Sequence, residues 1–247
     1  MKKIIKFIIA WLGTTKLLSI PRGYVGRSLA YYYSSKGKAI YNIYNFADLQ
    51  NIKNDNGLDL IKQIKRETEM LLADEDAYLI YATVKKTEKI EGDIAEVGVY
   101  KGGSAKLMRE ATGKPLHLFD TFEGLPDLHV KDNPKQFQKG NFFASLESVK
   151  RYLNNYPNIH FYKGLFPATA ETIKGKKFSF VHLDVDIYES TLNCLTFFYP
   201  RMSRGGVIIS HDRGVDVVRK AFDEFFDDKP EIIIEPYMTS QNLVIKV

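Results

Sequence analysis

Hydrophobic positions fall into three regimes along the chain. Over residues 4–12 they are dense but brief. There Ile4, Phe7, Ile8, Trp11, Leu12 and Leu18 share one side of a helical wheel, with Lys2, Lys3, Lys6 and Lys16 towards the other. That spacing predicts a basic amphipathic helix. Residues 13–57 show no period and are rich in Gly, Ser, Tyr and Asn, the composition of a connector. From Asp59 the period is helical through Leu60, Ile61 and Ile64 and again from Leu71 to Val84, which predicts a helix between Leu58 and Lys89. Apolar runs then alternate with helical stretches. Strands are expected at Asp93–Val99, Pro115–Thr121, Ile159–Lys163, Phe178–Val185 and Gly206–His211. Helices are expected to start near Gly103, Ser145, Ala168 and Ser190, with another at Val215–Phe226. Two apolar segments, Glu231–Glu235 and Asn242–Val247, close the chain as an antiparallel hairpin. Alternating strands and helices imply an α/β fold, a parallel sheet with helices on both faces. The expected organisation is a basic arm and connector over 1–57 and one α/β domain over 58–247.

Charge sharpens the division. The whole chain carries +5, but residues 1–47 hold eight basic residues and no acid, leaving 27 basic against 30 acidic residues in the body. A slightly acidic body argues against a nucleic-acid partner. The apolar run of the arm is too short for a membrane span. It suits a helix lying on an anionic membrane, or one packed on the body or on a second subunit. No small-residue cleavage site follows it, so a secretory signal ranks lower. The expected location is cytoplasmic, peripheral at the inner membrane surface if the arm binds lipid. Cys194 is the only cysteine and lies in the apolar stretch Leu192–Tyr199, so it reads as a small buried residue.

Two segments carry chemistry. Glu96-Val97-Gly98-Val99-Tyr100-Lys101-Gly102-Gly103-Ser104 reads as a strand end, a glycine-rich turn and a helix start. Such a turn admits close backbone approach to a ligand, and the helix start offers free N–H groups. About one βα unit later Phe119-Asp120-Thr121-Phe122-Glu123-Gly124 ends a strand with an acid, the place from which ribose hydroxyls are held in nucleotide-binding sheets. The turn is not G-x-G-x-x-G, and an acid leads it. That favours a ligand with an amine and a ribose but no phosphate, and S-adenosylmethionine fits.

The second segment is Phe180-Val181-His182-Leu183-Asp184-Val185-Asp186-Ile187-Tyr188-Glu189-Ser190-Thr191. Asp184 and Asp186 sit two apart at a strand end, so their side chains are expected on one side. They could hold a metal, or one could act as a base. The next strand ends Ile209-Ser210-His211-Asp212-Arg213, which adds an oxygen ligand and a nitrogen ligand for a divalent ion. Helix capping is the alternative for any one of these acids. His117, His129, His160 and His182 read as structural.

The ordered series resembles the macrocin O-methyltransferase family. It comprises Gly92 through Ser104, Asp120-Thr121-Phe122-Glu123-Gly124-Leu125-Pro126, Lys163-Gly164-Leu165-Phe166 and Leu183 through Thr191. The likeness runs over roughly residues 60–247. It implies a class I methyltransferase fold and an S-adenosylmethionine-dependent, divalent-metal-dependent O-methyltransferase acting on a sugar hydroxyl of a glycan or glycosylated metabolite. It implies that Glu96, Val97, Gly98, Tyr100, Gly103 and Ser104 hold the methionine end of the cofactor. Asp120, with Thr121 and Phe122, would hold its ribose, and Lys163, Gly164 and Asp184 would complete that site. Asp184 and Asp212, with His211, are the implied ligands of Mg2+ or Mn2+, and Asp186 is the implied general base. Family members commonly have two adjacent acids and a tyrosine where this chain has His211-Asp212-Arg213, and histidine suits manganese better than magnesium. Methylation of a catechol-like aromatic diol, or cofactor binding without catalysis in a glycan pathway, are the rival readings. A lid is expected from the Leu58–Lys89 helix and the loop Asp127–Asn141, which has few large apolar anchors besides Phe137 and is consistent with mobility.

Overall fold

Five parallel strands form the frame: β1 (Asp93–Val97), β2 (Leu116–Asp120), β3 (Ile159–Lys163), β4 (Phe178–Leu183) and β5 (Met202–Ser210). A sixth, β6 (Asn242–Ile245), runs antiparallel beside β5 and completes the order β3-β2-β1-β4-β5-β6. This is a computed structural model, and it describes residues 56–236 and 239–247. The amphipathic helix, the basic arm and nearly all of the connector lie outside the described residues. Among the described residues no helix is long and apolar enough to cross a membrane.

Strands β1, β2 and β4 are buried almost throughout, as apolar runs covered on both faces should be. Ala95, Val97, Phe119, Val181 and Leu183 point into a core with α5 (Tyr188–Phe198) and α6 (Asp216–Phe226). Phe166 stacks on Phe198 at 5.3 Å, and Phe119 stacks on Tyr162 at 4.5 Å. Strand alternation sends Ile94 and Glu96 to the other face. The remaining helices are α1 (Gly57–Glu67), α2 (Asp74–Lys86), α3 (Gly103–Ala111) and α4 (Leu146–Tyr152).

The structure departs from the expected elements in four places. The Leu58–Lys89 helix is two helices, α1 and α2, broken by extended backbone at Thr68 and Ala73. Asp74, Glu75 and Asp76 restart it, since acids favour a helix N-terminus. The helix expected at Ala168 is a 3-10 turn, Ala168–Ile173. Strand β5 begins at Met202, before the expected Gly206. Gly205, at φ +82, and a register shift between Phe178 and Phe180 interrupt its pairing and hide its first half from the sequence pattern. Finally, the first arm of the terminal hairpin is a single antiparallel bridge, Ile234 to Leu243, with Pro230 and Pro236 on either side.

The loop over 127–141 is tied down more firmly than its composition suggested. Phe137 is buried, and so is Asp132. Asp132 Oδ1 accepts from Tyr188 N at 2.9 Å, and Oδ2 accepts from His129 N at 2.7 Å. It thereby caps the start of α5, where Ile187 offers no side-chain cap. Asp132→Ala should lower stability by about 1–2 kcal/mol, as for a lost cap, and speed proteolytic nicking of the loop. An unchanged denaturation midpoint and cleavage rate would show the anchor to be idle.

Candidate active site

A cleft of about 290 Å³ opens at the carboxyl ends of the parallel strands. It sits where strand order reverses between β1 and β4, the position at which open α/β sheets bind ligands. Its wall contains Val97, Gly98, Tyr100, Gly103, Ser104, Asp120, Thr121, Gly164, Asp184, Asp186, His211 and Asp212. The fold thus gathers most of the residues singled out in the sequence.

The glycine turn is built to pass close to β4. Gly98 has φ +85, and a Cβ there would meet Asp184 O at 1.8 Å. Tyr100 and Gly102 also take positive φ, and Gly102 leads into α3 in the left-handed conformation. Asp120 fixes this path. Its Oδ2 accepts from Val99 N at 2.7 Å and Tyr100 N at 3.1 Å, and its Oδ1 accepts from Phe122 N at 2.6 Å. A carboxylate offers about four lone-pair sites, so Asp120 can shape the turn and still face the cleft.

Three expected contacts do not reach the cleft wall. Glu96 is fully buried beneath it, on the opposite sheet face from Val97, with Oε1 2.9 Å from His182 Nδ1. Burial raises its pKa, against the pull of His182 and Ser104. Glu96 therefore supports the turn from below, with His182 as its buried partner. Phe122 points into the core and contributes backbone, and Lys163 turns outward to Glu123 at 3.0 Å. Conversely, the link between α1 and α2, within the segment expected to form a lid, lines the cleft through Glu69, Met70, Leu71 and Leu72, none of them singled out in the sequence. Tyr100 OH donates to Glu69 Oε2 at 2.8 Å, and Met70 packs on Gly103.

At the other end of the cleft the ligand atoms of Asp184, His211 and Asp212 lie within 4.8 Å of one another. His211 Nδ1 is 3.3 Å from Asp184 Oδ1 and 3.1 Å from Asp212 Oδ1. Asp212 Oδ2 is buried without a hydrogen-bond partner. Two carboxylates and an imidazole with an unsatisfied oxygen form a donor set that fits a divalent cation. Strand β4 has already ended at Leu183, so alternation does not orient the acids here. Instead Asp186 takes φ +61 and turns into the cleft with Asp184.

The electrostatics follow from crowding. Burial, then the charges of Asp184 and Asp212, push the Asp186 carboxyl up to about 9. Burial opposes charge on His211, but the carboxylates of Asp184, Asp212 and Asp76 around it raise its pKa well above the usual imidazole range. Burial likewise opposes charge on Asp184, yet the hydrogen bond and charge of His211 hold it below the usual carboxylate range. Cys194 is fully buried at the back of the cleft, and burial raises its thiol pKa. His117 is satisfied by Asp93 and Tyr162, each at 2.9 Å, far from this chemistry.

The chain is similar to known methyltransferases. The profile of the family described as macrocin-O-methyltransferase (TylF) matches residues 79–238. A Streptomyces olivaceus protein, 8-demethyl-8-(2,3-dimethoxy-alpha-L-rhamnosyl)-tetracenomycin-C 4'-O-methyltransferase, is 30% identical over 152 residues, 55% of this chain and 58% of its own. Demethyldecarbamoylnovobiocin O-methyltransferase of Streptomyces niveus is 30% identical over 164 residues, 58% of this chain and 63% of its own. The chain thus spans under two thirds of the length of these curated relatives. Among solved structures, the O-methyltransferase NovP superposes with a TM-score of 0.62 at 25% identity, over 71% of this chain and 81% of that one.

Proposed function

The chain belongs to the macrocin O-methyltransferase family, and from that premise we propose that it methylates a sugar hydroxyl of a glycan or glycosylated metabolite, using S-adenosylmethionine. One observation carries the reading. The glycine turn, Asp120 and the Asp184–Asp186–His211–Asp212 group face one another across a single cleft. The turn and Asp120 orient the cofactor. Asp186, at the far side, accepts the hydroxyl proton as the oxygen takes the methyl group and the sulfonium becomes a thioether. Asp184, His211 and Asp212 would hold a divalent cation, which when bound lowers the pKa of a nearby hydroxyl and offsets the repulsion that keeps Asp186 protonated.

The test is transfer of labelled methyl from S-adenosylmethionine to a panel of glycosylated small molecules and aromatic diols. Label in the sugar-bearing acceptors, lost with chelator and restored by manganese or magnesium, is the expected result. Full turnover after exhaustive chelation sinks the metal requirement, and label only in the diols sinks the sugar acceptor.

Stability should report the same cluster. The raised carboxyl of Asp186 keeps a proton that the unfolded chain releases above about pH 4. Its contribution to stability is complete below that point and is lost as pH climbs towards about 9. His211, also raised, adds the same sign above its unfolded value. A cation replacing those protons should therefore raise Tm more at about pH 8.5 than at about pH 6. Equal shifts at both values would refute the proton–metal exchange.

A further inference from the structure

Asp76 has no part in the reading above. It lies in the first turn of α2, 1% exposed, and a carboxylate is seldom buried so completely without partners. Its Oδ1 accepts from Ser240 N at 2.7 Å. Its Oδ2 is buried with no hydrogen bond and faces His211 Nε2 at 3.6 Å. The other ring nitrogen, Nδ1, faces Asp184 and Asp212 at 3.3 and 3.1 Å. The imidazole is thus bracketed, with one nitrogen towards the cleft and the other towards a carboxylate on a separate helix. A histidine that ligates a metal commonly donates its second ring N–H to a carboxylate, which fixes tautomer and ring orientation.

We propose that Asp76 is a positioning residue that accepts the Nε2–H of His211, so that Nδ1 presents its lone pair to a cation shared with Asp184 and Asp212. The pair biases the site towards manganese over magnesium, because imidazole is a poorer partner for the harder ion. The assignment rests on the metal reading above. It gives a buried carboxylate with a free oxygen a function, and it accounts for how a histidine can stand among acids at this site. Asp76 touches neither the reacting atoms nor the cation.

Manganese binding to the full chain, read from the signal of the free aqueous ion by electron paramagnetic resonance, tests this without turnover. Asp76→Asn keeps an Oδ1 acceptor for Ser240 N and should fold. It should weaken manganese binding by about 10–100-fold, the usual effect of losing such a partner, while affinity for S-adenosylhomocysteine stays the same. In His211→Asp no ring remains to orient. There, Asp76→Asn should change manganese affinity less than about twofold, and the manganese-to-magnesium affinity ratio should fall. A second measurement covers poor folding of the double variant. Nitrogen-15 spectra of the magnesium-loaded chain should show His211 as the Nε2–H tautomer, and a tautomer mixture in Asp76→Asn. Manganese binding that is undiminished in Asp76→Asn, or diminished equally in the His211→Asp background, overturns the assignment while leaving the metal reading intact. If the parent chain binds no manganese, both readings fall.

Discussion

Asp186→Asn should cut methyl transfer by roughly two to four orders of magnitude, the usual contribution of a general base, while leaving the fold, cofactor affinity and manganese affinity in place. The substitution is mild everywhere except at the proton. Asp186 adopts φ +61, a conformation asparagine accepts more readily than most residues. Its carboxyl is pushed up to about 9 by burial and by its acidic neighbours, so a neutral amide resembles the form that the resting protein holds at neutral pH. What the amide cannot do is take a proton from the acceptor hydroxyl. Single-turnover transfer of labelled methyl, with calorimetry of S-adenosylhomocysteine and manganese alongside, checks each part. Near-normal turnover moves the proton to another group, with His211, which lines the cleft, the first to test. Loss of manganese binding makes Asp186 a ligand and leaves the base unassigned.

Gly98→Ala should abolish measurable cofactor binding and cost about 3 kcal/mol of stability or more, at or beyond the upper end for overpacking. The added methyl would stand 1.8 Å from Asp184 O, and that oxygen is backbone and cannot swing aside. The surroundings are locked as well. Gly98 N donates to Phe119 O, and Asp184 N donates to Val97 O, both at 2.9 Å. Relief requires β1 and β4 to separate at the end that carries both the turn and Asp184. Positive φ adds a further penalty for any residue with a Cβ. Gly175→Ala is the matched control, since a Cβ there meets nothing within 4 Å, and it should stay within about 0.5 kcal/mol of the parent. Urea melts and calorimetry of S-adenosylhomocysteine read both effects. Cofactor binding that survives in Gly98→Ala would mean the turn can yield, and the close approach would lose its role.

The α/β alternation was legible because each element advertises itself locally. Strands covered on both faces are predominantly apolar, so Ile94–Val97, Leu116–Phe119 and Phe178–Leu183 stand out without any knowledge of their partners. Chemistry at strand ends was legible for a related reason. Acids that close apolar runs, such as Asp120 and Asp184, fall at one edge of a parallel sheet whatever the details.

Direction and partnership were another matter. Glu96 looked like a ligand contact because it leads the turn, yet the pleat points it away from the cleft and onto His182, its register neighbour on β4. Asp132 looked like one more polar residue of a free loop until its two oxygens met the backbone of Tyr188 and His129. The break at Thr68–Ala73 carries apolar residues at nearly helical spacing, and only packing on Gly103 and the cleft shows why the chain leaves the helix there. Asp76 is the extreme case. Nothing near it in the chain marks it, and its proximity to His211 exists only because α2 lies where β5 ends. The sequence by itself determined where most of the strands and helices lie and which strand ends carry acids, because those follow from short-range periodicity and burial. Only the tertiary structure decided which side chains meet across the cleft, because the distances between elements far apart in the chain depend on how all of them pack at once.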